Sequence, residues 1–422
     1  MIYLAILILG LLLAGNYFVS KNILYPPALF TAVWFLTLIG LALSGDTFYA
    51  VSSDALMVFI VGALVFSIGG WALFVVDDLK SKNIVQFTPR QRIRVRRILD
   101  VVFLVLVIGL PFYYQSIATD VDLSDPQYFA KQREIAVRGT ESSDRDFSLI
   151  KNLVYLSLFL ALAMHFENDG TFSRRWRSYL SILLAILYGA LTGTKGGMVR
   201  LILALSFISS MRAGNMNFIA MGTAVILALV LFAVGLFFVN YGYEDMEFSI
   251  ETIQLLLEGV RTYWLGGLVA FEDVFQSPNN LESVQHINRF FLETANGLGA
   301  HFTIPSLHAE YTRISQTEET NVYTIYFSYF KDYGWLGVTI GLFLLGSLLT
   351  WIYSYARRGN HLAMALYSMN AVGLVLSIHA EHFLLALNLY IKMLVFFYLV
   401  YYGFSRFSLS IVPLREQRGP SA

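Results

Sequence analysis

The chain has 422 residues, 57% hydrophobic and 14% charged, with a mean hydropathy of +0.61. Soluble domains carry about a quarter charged residues, so this balance excludes a soluble globular fold. Lys and Arg (29) equal Asp and Glu (29), which leaves no basic excess for nucleic acid; with no cysteine, disulfides, iron–sulfur clusters and thiol catalysis are excluded.

The expected class is all-α, a polytopic transmembrane helical protein forming one integral membrane domain over residues 1–422. Apolar runs fall near 2–19, 28–44, 55–76, 98–115, 150–166, 178–192, 197–210, 217–239, 335–355, 361–379 and 383–404. That gives about eleven spans of membrane length. The period-two alternation of a β-barrel is absent. Met1–Val19 lacks a basic leader and has Lys21 behind it, which predicts a retained first span entering from outside.

Loop charge orients the spans. Lys80, Lys82, Arg90, Arg92, Arg94, Arg96 and Arg97 lie in 77–97, Arg-Arg-Trp-Arg occupies 174–177, and Arg212, Arg357 and Arg358 follow. These alternate with Lys/Arg-poor loops such as 45–54, so the basic set is expected on the cytoplasmic side. The N-terminus is then outside and the C-terminus inside. Two long loops, 116–149 and 240–334, face outward together.

Thr88-Pro89-Arg90-Gln91 reads as a capping box with proline at the first helical position, so a helix should start there and enter the fourth span. Its arginines suit anionic lipid headgroups. In the first outer loop, Ser124-Asp125-Pro126 reads as a helix start and Asp120-Val121-Asp122 as a short acidic pair. Two aspartates one residue apart are common in loops, and no metal site is assigned to them.

Span seven begins at a glycine turn, Gly193-Thr194-Lys195-Gly196-Gly197, with Arg200 about one turn into the membrane. Unpaired N–H groups at a helix start, close backbone approach and two cations together suit a phosphate or pyrophosphate. Snorkelling of Lys195 and Arg200 to headgroups is the simpler alternative.

Loop 240–334 opens with Glu244, Asp245 and Glu247. Ile250, Ile253, Leu256, Leu257, Val260 and Trp264 then recur at helical spacing, predicting an amphipathic helix on the outer leaflet that carries Arg261. His286, Arg289, His301, His308, Glu310 and Arg313 follow. His379-Ala380-Glu381-His382 fills the turn between spans ten and eleven, as a substrate contact, a solvated turn or a metal ligand set; no HExxH-type pattern supports the last. Lys392, near mid-span with Asn388 a turn before it, should face a cavity or an acidic partner, with Asp332 one candidate.

Asn321-Val322-Tyr323-Thr324 followed by Asp332-Tyr333-Gly334-Trp335-Leu336-Gly337 resembles the Wzy-type polymerases, which join oligosaccharide repeat units of bacterial surface polysaccharides such as O-antigen. Supporting stretches are Tyr263-Trp264-Leu265-Gly266-Gly267-Leu268-Val269-Ala270-Phe271 and the Gly193–Arg200 turn. The resemblance implies a glycosyltransferase C-like membrane fold in the bacterial cytoplasmic (inner) membrane. It also implies undecaprenyl-pyrophosphate-linked oligosaccharides as substrates, with a flippase and a chain-length regulator of the same pathway as partners. That family often carries arginine where this chain has Lys195, which leaves open whether Lys195 or Arg200 takes the anion. The related O-antigen ligases carry a histidine where this chain reads Thr320-Asn321, which favours the polymerase.

Glycosyl transfer from a pyrophosphate donor needs cations at the leaving group and a base for the acceptor hydroxyl. The outward cations are Lys195, Arg200, Arg289 and Arg313 for the pyrophosphate, with Arg261 in the catalytic set. His308 is the first candidate base, followed by Glu310, His301 and His286. Asn321, Tyr323, Asp332, His379 and His382 are expected to contact substrate, with no cofactor and no metal. The rival functions are an O-antigen ligase, a lipid-linked sugar flippase and a non-enzymatic assembly partner.

Overall fold

A computed structural model of the protein describes residues 1–78, 89–117, 131, 150–168, 170–191, 195–241, 250–276, 287–304 and 311–403. These residues are almost entirely helical. The helices are α1 (Ile2–Ser20), α2 (Pro26–Leu43), α3 (Ser53–Asp78), α4 (Pro89–Ile117), α5 (Leu153–Phe166), α6 (Phe172–Leu191) and α7 (Lys195–Ala213). They continue with α8 (Phe218–Tyr241), α9 (Ile250–Gln276), α10 (Arg289–Gly297), α11 (Ile325–Arg357), α12 (His361–Val375) and α13 (Leu387–Tyr398). A two-stranded antiparallel hairpin, β1 (Thr312–Arg313) and β2 (Glu319–Thr320), pairs Thr312 with Thr320 and Arg313 with Glu319.

Six of these helices are long and apolar enough to cross a membrane: α1, α2, the Ser53–Phe74 part of α3, most of α7, α11, and α12 with the turn after it. Shorter apolar helices lie at Leu153–Phe166, Phe218–Leu231 and Leu387–Gly403. Large apolar side chains stay exposed along them, among them Leu7, Leu11 and Phe18 of α1 and Leu344 and Trp351 of α11. Water would oppose that exposure and hydrocarbon accommodates it. The chain is a helical membrane protein.

Local sequence explains the boundaries. Pro26 and Pro27 open α2, where a missing N–H leaves no bond unmade. The helix expected at Thr88-Pro89 begins at Pro89 and runs to Ile117; Thr88 lies outside the described residues. The span expected from 335 matches the second part of α11, and a further helical stretch from Ile325 precedes it. Gly334 sits inside α11 with φ 58° and ψ −144°, so Ile325–Tyr333 and Trp335–Arg357 are two helices meeting at a glycine joint. Left-handed φ of this kind suits only glycine without strain. The amphipathic helix expected near 250–264 also runs further, to Gln276. Its first turns keep Ile250, Ile253 and Leu257 exposed, whereas Leu265–Phe271 is buried. Gly266 and Gly267 permit this entry, since a Cβ on Gly267 would stand 2.8 Å from the Ile378 carbonyl.

Two packing devices hold the bundle. First, α3 and α11 touch backbone to backbone: a Cβ on Gly69 would strike the Phe343 carbonyl, and one on Gly346 would strike the Phe66 carbonyl. Small residues allow this approach, and lipid-embedded helices gain dispersion contacts from it. Second, Asn16 of α1 is 0% exposed and fully engaged. Its Nδ2 donates to the Pro27 carbonyl (3.2 Å), Thr31 Oγ1 (3.0 Å) and Ser67 Oγ (3.0 Å), and its Oδ1 accepts from Trp71 Nε1 (2.8 Å). One amide thereby ties α1, α2 and α3 where an unmet polar group is costly.

Polar contacts gather the connecting segments into two ends. At one, Arg96 pairs with Glu167 (3.0 Å), Arg177 with Asp100 (2.9 Å), and Arg212 donates to the His165 and Asn168 carbonyls. At the other, Tyr49 N–H donates to the Ile314 carbonyl (2.9 Å) and Ser52 N–H to Glu272 (2.8 Å), tying loop 45–52 to the hairpin and α9.

The glycine contacts make a direct prediction. Gly346→Ala should destabilise the fold by about 1–3 kcal/mol and lower the yield of monodisperse protein on size-exclusion chromatography. Gly222→Ala meets open space and should leave the elution profile unchanged.

Candidate functional site

At the hairpin end, α12 runs through a short 3-10 turn (Leu376–Ile378) into the loop before α13. Glu381 in that loop is 1% exposed. Its two oxygens accept from the Phe383 N–H (2.9 Å) and the Leu385 N–H (2.8 Å), so the carboxylate caps the turn from within. Burial pushes the Glu381 pKa up, and the backbone donors and the Arg200 charge oppose that rise without cancelling it.

The neighbouring His382 is fixed from both sides. Tyr390 Oη donates to its carbonyl (3.2 Å), and its Nδ1 lies 2.6 Å from Arg200 Nη2. A guanidinium only donates, so Nδ1 is the acceptor and the neutral ring carries its proton on Nε2. That Nε2 is buried with no hydrogen-bond partner among the described residues. Burial, then the Arg200 charge, then His379 hold the His382 pKa well below the usual range. His379 is half-buried, with its ring 6.0 Å from that of Tyr263 on α9; burial lowers its pKa to about 4.

Arg200 is the sixth residue of α7. Among the described residues no carboxylate pairs with it, and His382 is its hydrogen-bond partner. The other arginines proposed for the pyrophosphate are already matched. Arg289 pairs with Glu293 one turn on (2.8 Å), and Arg313, 75% exposed, pairs with Glu319 across the hairpin (3.1 Å). Arg261 pairs with Glu318 (3.3 Å) over the Phe48 ring, and Thr262 Oγ1 donates to the same oxygen (3.0 Å). Lys195 opens α7, but its side chain lies outside the description.

The remaining predicted residues separate. Arg200, His379 and His382 come together. Tyr323 is buried, sharing a hydrogen bond with Thr312 (2.6 Å) and stacking on Phe327 at 4.2 Å. Asn321 is half-buried between β2 and α11. Asp332 accepts from the Ile287 N–H (2.9 Å), closing the segment before α10 onto α11. Lys392 sits 4.1 Å over the Tyr155 ring of α5, a cation–π contact. His301 is exposed. His308, Glu310, His286, Asp120, Asp122, the Ser124-Asp125-Pro126 start, the run Glu244, Asp245, Glu247 and nearly all of 116–149 lie outside the described residues.

The 379–382 turn corrects one expectation: it is packed inward and is not a solvated turn. Glu381 as an internal cap and Glu318 as the partner of Arg261 were not singled out from sequence. A glutamate flanked by apolar runs was the available signal for the first. Glu318, 57 residues from Arg261, left none. Comparison with protein-family models, curated proteins and solved structures returns no match.

Chemically, the cluster is a half-buried guanidinium held by a neutral imidazole beside a buried carboxylate. Such an arrangement can receive an anion without first breaking an ion pair.

The histidines predict an acid dependence of stability. Unfolded His379 takes up a proton near its usual 6.5, whereas the folded ring resists down to about 4. The unfolded state therefore binds more protons between these values, and stability falls as pH drops through that window. Thermal unfolding of the solubilised protein should show this loss, and His379→Gln should reduce it, the remainder coming from His382, whose pKa burial also lowers.

Proposed function

We propose that this chain is a polysaccharide polymerase that joins oligosaccharide repeat units linked to undecaprenyl pyrophosphate. The proposal places the hairpin end on the outer face of a bacterial cytoplasmic membrane, with the arginine-rich end inside. A flippase would deliver the lipid-linked units and a chain-length regulator would act beside the polymerase. The observation that carries it is Arg200, a cation with no carboxylate partner among the described residues, held by neutral His382 at the start of α7. The resemblance of 321–337 and 263–271 to Wzy-type polymerases supplies the reaction.

In this reading the acceptor sugar hydroxyl attacks the anomeric carbon of the donor glycan. The bond from that carbon to the pyrophosphate oxygen breaks, and the leaving pyrophosphate takes the electron pair. Arg200 stabilises the charge that develops there, with Lys195 close in sequence. The acceptor proton goes to a base, for which His308 and Glu310 remain the candidates. Arg261 acts through its pair with Glu318, fixing the hairpin beside α9. Arg289 and Arg313, each already matched by a carboxylate, hold the surrounding segments rather than the leaving group.

The glycans of a gene-deletion strain test this. The deletion should leave acceptors capped with single repeats, and wild-type protein should restore a ladder on gels. Arg200→Ala at normal abundance should cut polymer by about 100-fold, as loss of one transition-state donor does elsewhere, while Arg313→Ala should stay within about twofold because its exposed ion pair is weak. A full ladder in the deletion strain would remove the polymerase reading and leave transport or scaffolding.

A further inference from the structure

Arg200 is a long, flexible side chain with no ion pair to fix it among the described residues. A mobile guanidinium loses side-chain entropy when it meets an anion and stabilises a transition state poorly unless pre-aimed. The contact that aims it is a single hydrogen bond, from Nη2 to Nδ1 of His382, 182 residues later in the chain.

We infer that His382 is a positioning residue, whose Nδ1 lone pair orients the Arg200 guanidinium toward the pyrophosphate leaving group. The turn is built for this. Glu381 ties the backbone on one side of His382 through the Phe383 and Leu385 N–H groups, and Tyr390 anchors the His382 carbonyl. The backbone that carries the ring is therefore held by three polar contacts within its own turn and helix. Arginine can use this imidazole because the imidazole is neutral; a carboxylate at 382 would neutralise the cation and compete with the phosphate. The choice of histidine leaves Arg200 both fixed and fully charged. Metal-site histidines show the same logic, in which an outer partner orients the group that does the chemistry.

The inference rests on the polymerase reading for its reaction, and two isosteres test it. The amide oxygen of asparagine occupies roughly the place of Nδ1, whereas glutamine reaches the place of Nε2. With purified full-length protein and a lipid-linked repeat unit, His382→Asn should keep kcat within about threefold of wild type. His382→Gln should lower kcat by about 10–100-fold with KM nearly unchanged, although both variants unfold at wild-type temperature. Equal losses in the two variants, or losses that track stability, overturn the inference and leave His382 as a structural tie between α7 and the turn.

A second measurement does not depend on turnover. Nitrogen NMR of histidine-labelled protein at neutral pH should show His382 as the Nε2–H tautomer with an unprotonated, hydrogen-bonded Nδ1, and Arg200→Ala should remove that hydrogen-bond signature. A cationic ring or an Nδ1–H tautomer overturns the proposal. If wild-type protein makes no polymer, the polymerase reading fails by itself, and the tautomer result still decides how Arg200 is held.

Discussion

The close approach of α3 and α11 is the constraint on which the rest of the structure depends. In hydrocarbon there is no hydrophobic gain from pressing one apolar helix on another, so contact distance decides association. Gly69 and Gly346 bring the two backbones together, and Tyr326 of α11 reaches across to donate to the Phe59 carbonyl at 3.0 Å. Around that contact Trp34, Phe59, Phe66 and Phe30 interlock as stacked and edge-on rings. Because α11 is fixed on α3, the segment entering it is fixed too. The hairpin, Tyr323 and the glycine joint at Gly334 then have one place to lie. The Asn16 node performs the same service for α1 and α2 with polar contacts.

The site is assembled from elements that the glycine contacts bring within reach of one another. α9 enters the bundle at Gly266-Gly267 and lies against Ile378 and Val322. That puts Tyr263 beside His379, and the same turn presents His382 to Arg200 on α7. Burial then sets the chemistry: it keeps both imidazoles neutral, whereas solvated rings would share the ordinary histidine range. A neutral acceptor beside a guanidinium that forms no carboxylate ion pair among the described residues is what separates Arg200 from Arg261, Arg289 and Arg313, which pair with Glu318, Glu293 and Glu319.

Much of the fold was legible in the sequence. Apolar runs marked α1, α2 and α3 to within a few residues, and Pro89 marked the start of α4. What escaped the pattern were helical stretches beside glycines, which periodicity does not encode. Hydropathy placed the start of a span at 335, where the second helix of α11 does begin, but it gave no sign of the helix Ile325–Tyr333 that leads into the Gly334 joint. The amphipathic pattern of 250–264 read correctly as a face, but it carried no sign that the helix continues into the bundle. For the site, residue type and local spacing picked out Arg200, His379 and His382. They could not reveal that 200 and 382 touch, nor that Arg261, Arg289 and Arg313 have partners, because pairing is a property of tertiary contact. Arg289 with Glu293 is the exception, an i,i+4 pair readable from sequence alone. Lys392 shows the same limit: its cost in lipid was evident, whereas its seat on Tyr155 needed the packing of α5 against α13.

The most direct test of the central claim is reconstitution of the purified full-length protein in lipid nanodiscs with a polyprenyl-pyrophosphate-linked repeat unit as its sole substrate. Products would be resolved by mass as a function of time. The account predicts a ladder of dimers, trimers and longer chains, with one polyprenyl pyrophosphate released for each bond formed and about 100-fold less product from Arg200→Ala protein. Substrate recovered unchanged, from wild-type protein shown to be folded, would contradict it.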